Sequence, residues 1–137
     1  MTFKPRKKTF SRSPKTFSKK HSNLRFGYYG IKSCEFTKIK SSRLVYLFRF
    51  LEKHIKLVIT SKKIRVWNRV TINFTLTKLS SEARMGKGKG AIVDHFTYIK
   101  PGQILFELEK IKAQYWVRIF LKMQHRIGLK IKPVTKT

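Results

Sequence analysis

The residues Arg84-Met85-Gly86-Lys87-Gly88-Lys89-Gly90 concentrate more chemistry than any other stretch of the chain. Each glycine lacks a Cβ, so the backbone can approach another molecule closely or take a positive φ. Each lysine adds a mobile ammonium group, and Arg84 adds a planar fork of donors. A loop of this kind suits a phosphate backbone, which backbone N–H groups and cationic side chains can grip together. It is not a nucleotide P-loop, because no Ser or Thr follows a Gly-Lys pair, and its G-x-G-x-G order is not the dinucleotide fingerprint. The plainer alternative is a solvated basic turn.

Catalytic or metal chemistry finds no comparable set. His21, His54, His95 and His125 are far apart, with neither an H-E-x-x-H helix nor a Cys/His spacing. The single cysteine, Cys34, allows no disulfide within the chain. Glu107 and Glu109 would share one strand face, but no nucleophile, base and orienting group stand together. The residues therefore offer no catalytic set, and no metal or cofactor is expected.

Composition narrows the partner. In 137 residues, 33 Lys and Arg stand against 6 Asp and Glu, a formal charge of +27. Repulsion of that size opposes compaction, so a polyanion is the expected partner. Nucleic acid, with its regular phosphates, rewards clustered cations by counterion release; an anionic membrane surface is the competitor. Disorder throughout is excluded by 41% hydrophobic and 13% aromatic residues. No apolar run reaches the about 18 residues that a membrane span needs. Lys, Ile and Phe are frequent and alanine occurs only at 83, 91 and 113, a bias that points to an AT-rich, organellar genome.

The elements that must position the loop follow from pattern. Residues 1–25 carry nine Lys or Arg and no acid, with Phe3, Phe10 and Phe17 at intervals of seven, and Pro5 and Pro14 against a continuous helix. They read as an extended basic arm that orders on its target; the alternative is a mitochondrial transit peptide. Residues 26–36 suit a strand with close backbone approaches at Gly27 and Gly30. After Ser41 and Ser42, which can cap a helix, Leu44, Leu47, Phe48, Leu51 and Ile55 make one helical face. Residues 63–70 alternate, placing Lys63, Arg65, Trp67 and Arg69 on one face, where they either meet phosphates and a base or pack as a Trp under Arg stems. Residues 92–100 and 103–109 read as strands joined at Pro101-Gly102. The loop is then expected at one end of a hairpin and that turn at the other. A second helix is expected from about Ile111 to Arg126, Gly128 as its C-cap, and a short strand from 129 to 132 ended by Pro133.

These residues resemble the large-subunit ribosomal protein L-sixteen family, of bacterial and organellar type. The block Arg84–Gly90 matches its RMGKGKG, and Lys100-Pro101-Gly102-Gln103-Ile104-Leu105-Phe106-Glu107 its PG turn and following strand. Val66-Trp67-Asn68-Arg69-Val70 is similar to its IWIRV strand, and Phe26-Gly27-Tyr28-Tyr29-Gly30-Ile31-Lys32 to its FGSFGLK segment. Lys4-Pro5-Arg6-Lys7-Lys8 resembles its basic start and Pro133-Val134-Thr135-Lys136 its close. Extra residues lie between the first helix and the Trp67 strand. Ile72, Thr75 and Ser80 stand where the family has prolines, and the helices carry aromatics where bacterial members carry alanine. This divergence, with the AT-rich bias, favours a mitochondrial, organelle-encoded member in the matrix ribosome.

The resemblance implies an α/β (α+β) two-layer sandwich, a mixed, mainly antiparallel sheet with two packed helices, and the arm 1–25 ahead of one rRNA-binding domain, 26–137. It implies a structural place in the large ribosomal subunit near the tRNA acceptor arms, with the 84–90 loop reaching toward the peptidyl-transferase centre. The expected rRNA-binding residues are Arg6, Lys7, Lys8, Arg12, Arg25, Arg65, Trp67, Arg69, Arg84, Lys87 and Lys89. Partners implied are large-subunit rRNA, neighbouring ribosomal proteins and, as a second candidate contact of the loop, tRNA. The alternative is a cationic DNA-compacting or membrane-surface protein.

Overall fold

The computed structural model describes residues 4–10, 22–60, 62–86 and 88–137. Along them run β1 (Tyr29–Ser33), β2 (Thr37–Lys40), α1 (Ser41–Val58), β3 (Val66–Asn68), β4 (Phe74–Lys78), β5 (Ala91–Ile99), β6 (Ile104–Leu108), α2 (Ala113–Ile127) and β7 (Ile131–Thr135). The strands form two sheets, β3-β6-β1-β7 and β2-β5-β4. The α+β sandwich is as expected. The sheet is divided in two, however, and every pairing in it is antiparallel.

The helical periodicity is realised closely. α1 buries Leu44, Leu47, Leu51 and Ile55, and half-buried Phe48 packs on Phe106 of β6 with ring centroids 6.0 Å apart. α2 buries Trp116, Ile119, Met123 and Ile127, and Gly128 ends it in the left-handed region at φ 69°. Tyr29 of β1 stacks on Trp116 at 5.0 Å, joining the four-stranded sheet to the second helix. β6 is buried along its whole length, so it is the strand around which that sheet is built.

Three local expectations are corrected. Ser41 does not cap α1: its hydroxyl donates to Asp94 Oδ1 at 3.0 Å, tying the helix start to β5, and the cap position is Lys40. Pro133 does not end the last strand. β7 is an edge strand, where a missing N–H removes no ladder bond, and Pro133 lies opposite Ile31 within it. Pro101-Gly102 does not close a hairpin. Gln103 N donates to Lys100 O and Gly102 has φ 82°, a tight turn, but β5 pairs with β2 and β4 while β6 pairs with β1 and β3. The turn hands the chain from one sheet to the other, and Gly102 N is anchored on Ser33 O at 2.8 Å.

Candidate nucleic-acid interface

The glycine-lysine loop does close a hairpin, between β4 and β5. Lys78 pairs with Ala91, so residues 79–90 are the connection. Gly86 and Gly88 take φ 92° and 105°, values that β-carbon-bearing residues rarely adopt, with open space around both. Arg84, Met85 and Lys89 are exposed, Met85 at 92%. Gly90 serves differently. A Cβ there would fall within contact distance of the Lys78 carbonyl and the Leu79 nitrogen, backbone atoms that cannot step aside alone. Gly90→Ala is therefore expected to prise open the hairpin end and cost about 1–3 kcal/mol, the usual range for overpacking. The denaturation midpoint measures this, and an unchanged midpoint would count against the close approach.

The described residues of the basic arm pack on the fold. Residues 5–10 lie against the β4–β5 hairpin. Thr9 N donates to Thr75 Oγ1 at 3.0 Å, and Thr75 N donates to Thr9 Oγ1 at 2.9 Å. β4 is an edge strand, so the arm satisfies a donor that the sheet leaves open. The Pro5 carbonyl meets His95 Nε2 at 2.9 Å, on the residue facing Thr75 across the hairpin. Lys89 Nζ donates to Thr9 O at 2.6 Å and stands 4.4 Å from the Phe10 ring centre, while Lys8 Nζ donates to Lys89 O at 2.9 Å. Arm and loop thus form one cationic surface, with Arg6, Lys7 and Lys8 exposed beside Lys89.

A second anchor holds the far end of the arm. Glu107 on β6 is fully buried. Its carboxylate accepts from the backbone N–H groups of Arg25 at 3.2 Å, Phe26 at 2.7 Å and Gly27 at 2.7 Å, and from Arg69 Nη1. Burial by itself raises its pKa, but the three N–H donors and the Arg69 charge outweigh that, and the net shift is downward. Gly27 is required here because a Cβ would sit 2.5 Å from the Leu108 carbonyl and 2.9 Å from Glu107 Cβ.

This anchor bears on one expected contact. Arg69, expected as an rRNA-binding cation on a face where alternation left packing equally open, is turned inward, its side chain 7% exposed in the Glu107 ion pair. Trp67 lies on the same face but half-buried, stacked on Phe26 at 6.2 Å, so one side of its ring is already covered. Arg25 and Arg65 keep their side chains exposed. Arg12 and Lys87 lie outside the described residues. The structure thus brings Arg6, Lys7, Lys8 and Lys89 together on the arm and loop, Arg84 lies exposed in the same loop, and Arg25, Arg65 and Trp67 lie around the Glu107 anchor.

The acids explain the surface that remains. Glu35 accepts from Lys130 N, Asp94 from Ser41 and His95 N, Glu107 from the arm, and Glu109 from Arg65 N. The His95 N–H bond is the main reason the Asp94 carboxyl lies below its usual pKa; burial opposes it, and the Ser41 hydroxyl and nearby Lys40 assist. With four of the six carboxylates taken by internal donors, only Arg69 and Lys62 among the described residues form ion pairs. The other described cations lack a protein carboxylate and are available to an external polyanion. Sequence reasoning missed Glu107, His95 and Thr75 as anchors. The scarcity of acids was the one available signal for Glu107, since an acid within an apolar strand needs a partner; the contacts at Thr75 and His95 leave no mark in periodicity.

Comparison with known proteins points to one family. The family described as ribosomal protein L16p/L10e matches residues 2–134. The chain is 39% identical over 121 residues to large ribosomal subunit protein uL16m of Chondrus crispus, covering 85% of this chain and 88% of that one. It is 32% identical to uL16m of Marchantia polymorpha over 111 residues, 81% and 78% of the two chains. It is 30% identical to uL16 of Erythrobacter litoralis over 130 residues, 95% and 87%.

Proposed function

This chain belongs to the ribosomal protein L16p/L10e family and is a structural component of the large ribosomal subunit; from that premise we propose that it works in the mitochondrial ribosome, binding large-subunit rRNA near the tRNA acceptor arms. The organellar relatives and the AT-rich residue bias support the compartment. The observation that carries the rRNA reading is the fused arm-loop surface, where Arg6, Lys7, Lys8, Arg84 and Lys89 stand exposed with no carboxylate paired to them. Phosphate contacts of this kind fix position and register, and RNA helices are recognised by shape and sugar-phosphate contacts, so no base code is expected from these lysines.

In this reading the arm, held by the Glu107 anchor, fixes the protein on rRNA, and the loop orders RNA beside the tRNA site; Arg12 and Lys87 are further proposed phosphate contacts. The reacting groups belong to RNA, and the protein supplies placement. Arg84→Ala or Lys87→Ala is expected to harm tRNA handling more than incorporation into the subunit. Ribosome profiles with translation assays on the surviving particles check this. A pure assembly defect with normal decoding would sink the proposed position of the loop, and co-sedimentation with membrane or DNA in place of large-subunit rRNA would sink the rRNA reading as a whole.

A further inference from the structure

The side of the molecule formed by the two helices carries a second concentration of charge that the arm-loop surface does not absorb. α1 and α2 leave an open groove of about 760 Å³ between their outer faces. Arg49 and Lys53 come from α1, Lys122 and Arg126 from α2, with His54 and His125 between them and no acid in the lining. All four Lys and Arg side chains are exposed and none has a carboxylate partner. Each pair is spaced four residues apart, so its members rise about 6 Å along one helix face. The two pairs make parallel cationic walls.

The floor is aromatic and ordered. Phe50 meets the His54 ring edge-on at 4.2 Å and lies 6.2 Å from Tyr46. Arg126 stands over the Phe50 ring at 5.4 Å, and Arg43 over Tyr46 at 5.6 Å while donating to the Arg126 carbonyl at 2.6 Å. Cation–π contacts of this kind hold guanidinium groups in place before a ligand arrives. Burial and then the nearby charges of Lys122, Lys53 and Arg126 push the His54 pKa down. Tyr46 remains 43% exposed, an aromatic face available for stacking.

We propose that the α1–α2 groove is a second RNA-docking site, in which Arg49, Lys53, Lys122 and Arg126 grip the phosphates of one rRNA strand and Tyr46 and Phe50 receive an unstacked base. Cationic walls with aromatic side chains between them are the arrangement that single-stranded nucleic acid selects. An acidic protein segment would also meet the charge. It would leave the exposed Tyr46 face without a stacking partner, so RNA is the occupant the geometry favours. The proposal rests on the rRNA reading above and adds a contact on a surface separate from the 84–90 loop.

The test uses the full chain and large-subunit rRNA. The quadruple variant Arg49→Gln, Lys53→Gln, Lys122→Gln, Arg126→Gln changes only exposed side chains. It is expected to lower the slope of log affinity against log salt by about 3, four contacts at roughly 0.7 each for a single strand. Ultraviolet crosslinking of the unaltered chain to rRNA, read by peptide mass, is expected to place an adduct on the peptide holding Tyr46 and Phe50, and needs no variant to fold. If an Arg84→Ala, Lys89→Ala variant weakens rRNA binding while the groove variant keeps the parent slope and no adduct forms at the helices, the groove proposal is overturned and the rRNA reading stands. If the unaltered chain does not bind rRNA at all, both fall together. Crosslinking of the groove to a neighbouring protein within intact particles would also overturn it, assigning the surface to a protein partner.

Discussion

Replacing Glu107 with alanine lowers the stability of the chain by about 3–5 kcal/mol, the cost of leaving a buried charge without its partner. The expected damage has two parts. Arg69, 7% exposed, loses its only carboxylate, and the N–H groups of Arg25, Phe26 and Gly27 lose their acceptor. Glu107→Gln separates them, because an amide oxygen still accepts from the backbone while the charge is gone; it is expected to fall between alanine and the parent. Adding Arg69→Met to Glu107→Gln should recover part of the loss, since both charges of a buried pair are then removed together. Denaturant midpoints for the set test this, and a double variant that is simply the sum of the singles would show that the pair is not coupled.

The same group sets a pH dependence. The folded-state pKa of Glu107 lies below its unfolded value, so the unfolded chain binds more protons and stability falls as pH falls. The contribution is complete above the ordinary carboxylate range, near pH 4.3, and is lost progressively below it. Asp94 is shifted in the same direction and adds to the slope. Glu107→Gln is expected to flatten the acid limb while leaving the share that Asp94 provides. An acid limb identical to the parent's would mean that Glu107 is not held ionised by the arm.

Binding to large-subunit rRNA is expected to weaken by about 10³–10⁵-fold between about 50 and 200 mM salt, the loss that six to ten phosphate contacts imply. The described structure supplies the cations: Arg6, Lys7, Lys8, Arg25, Arg65, Arg84 and Lys89 are exposed, and none pairs with a carboxylate. Arg69 is excluded from that number by its burial, so Arg69→Gln should change stability and leave the salt slope intact, whereas Lys8→Gln with Lys89→Gln should reduce the slope by roughly 1.4–1.8. Filter binding or fluorescence anisotropy across a salt series reads both. A flat response would remove phosphate contact as the basis of recognition.

Much of this was legible beforehand because it is local. The face Leu44, Leu47, Leu51 and Ile55 is written at helical spacing, and a helix formed anywhere would bury that side. Gly128 just past the second apolar stripe marks a helix end for a backbone reason. The block from Arg84 to Gly90 carries its glycines and cations in adjacent positions, and the structure places it in the β4–β5 connection with Arg84, Gly86, Gly88 and Lys89 exposed. Pro101-Gly102 announced a turn equally well, but a turn signal does not say which strands its flanks will pair with. That choice was made by β1, which takes β6 as its partner, and by β2, which takes β5.

What the sequence alone determined is therefore charge, helix faces, turn positions and the chemistry of the loop, since each is set by residues within a turn or two of one another. What only the tertiary structure decided is which of those residues are still free. Arg65, Trp67 and Arg69 share a strand face and look alike in alternation, yet Glu107 draws Arg69 inside and Phe26 covers one side of Trp67. Thr9 and Lys89 are distant in the chain and meet because an edge strand leaves a donor open for the arm. The buried carboxylate and the unpaired edge are demands that arise only once the sheet exists, so no local pattern could have recorded how they would be met.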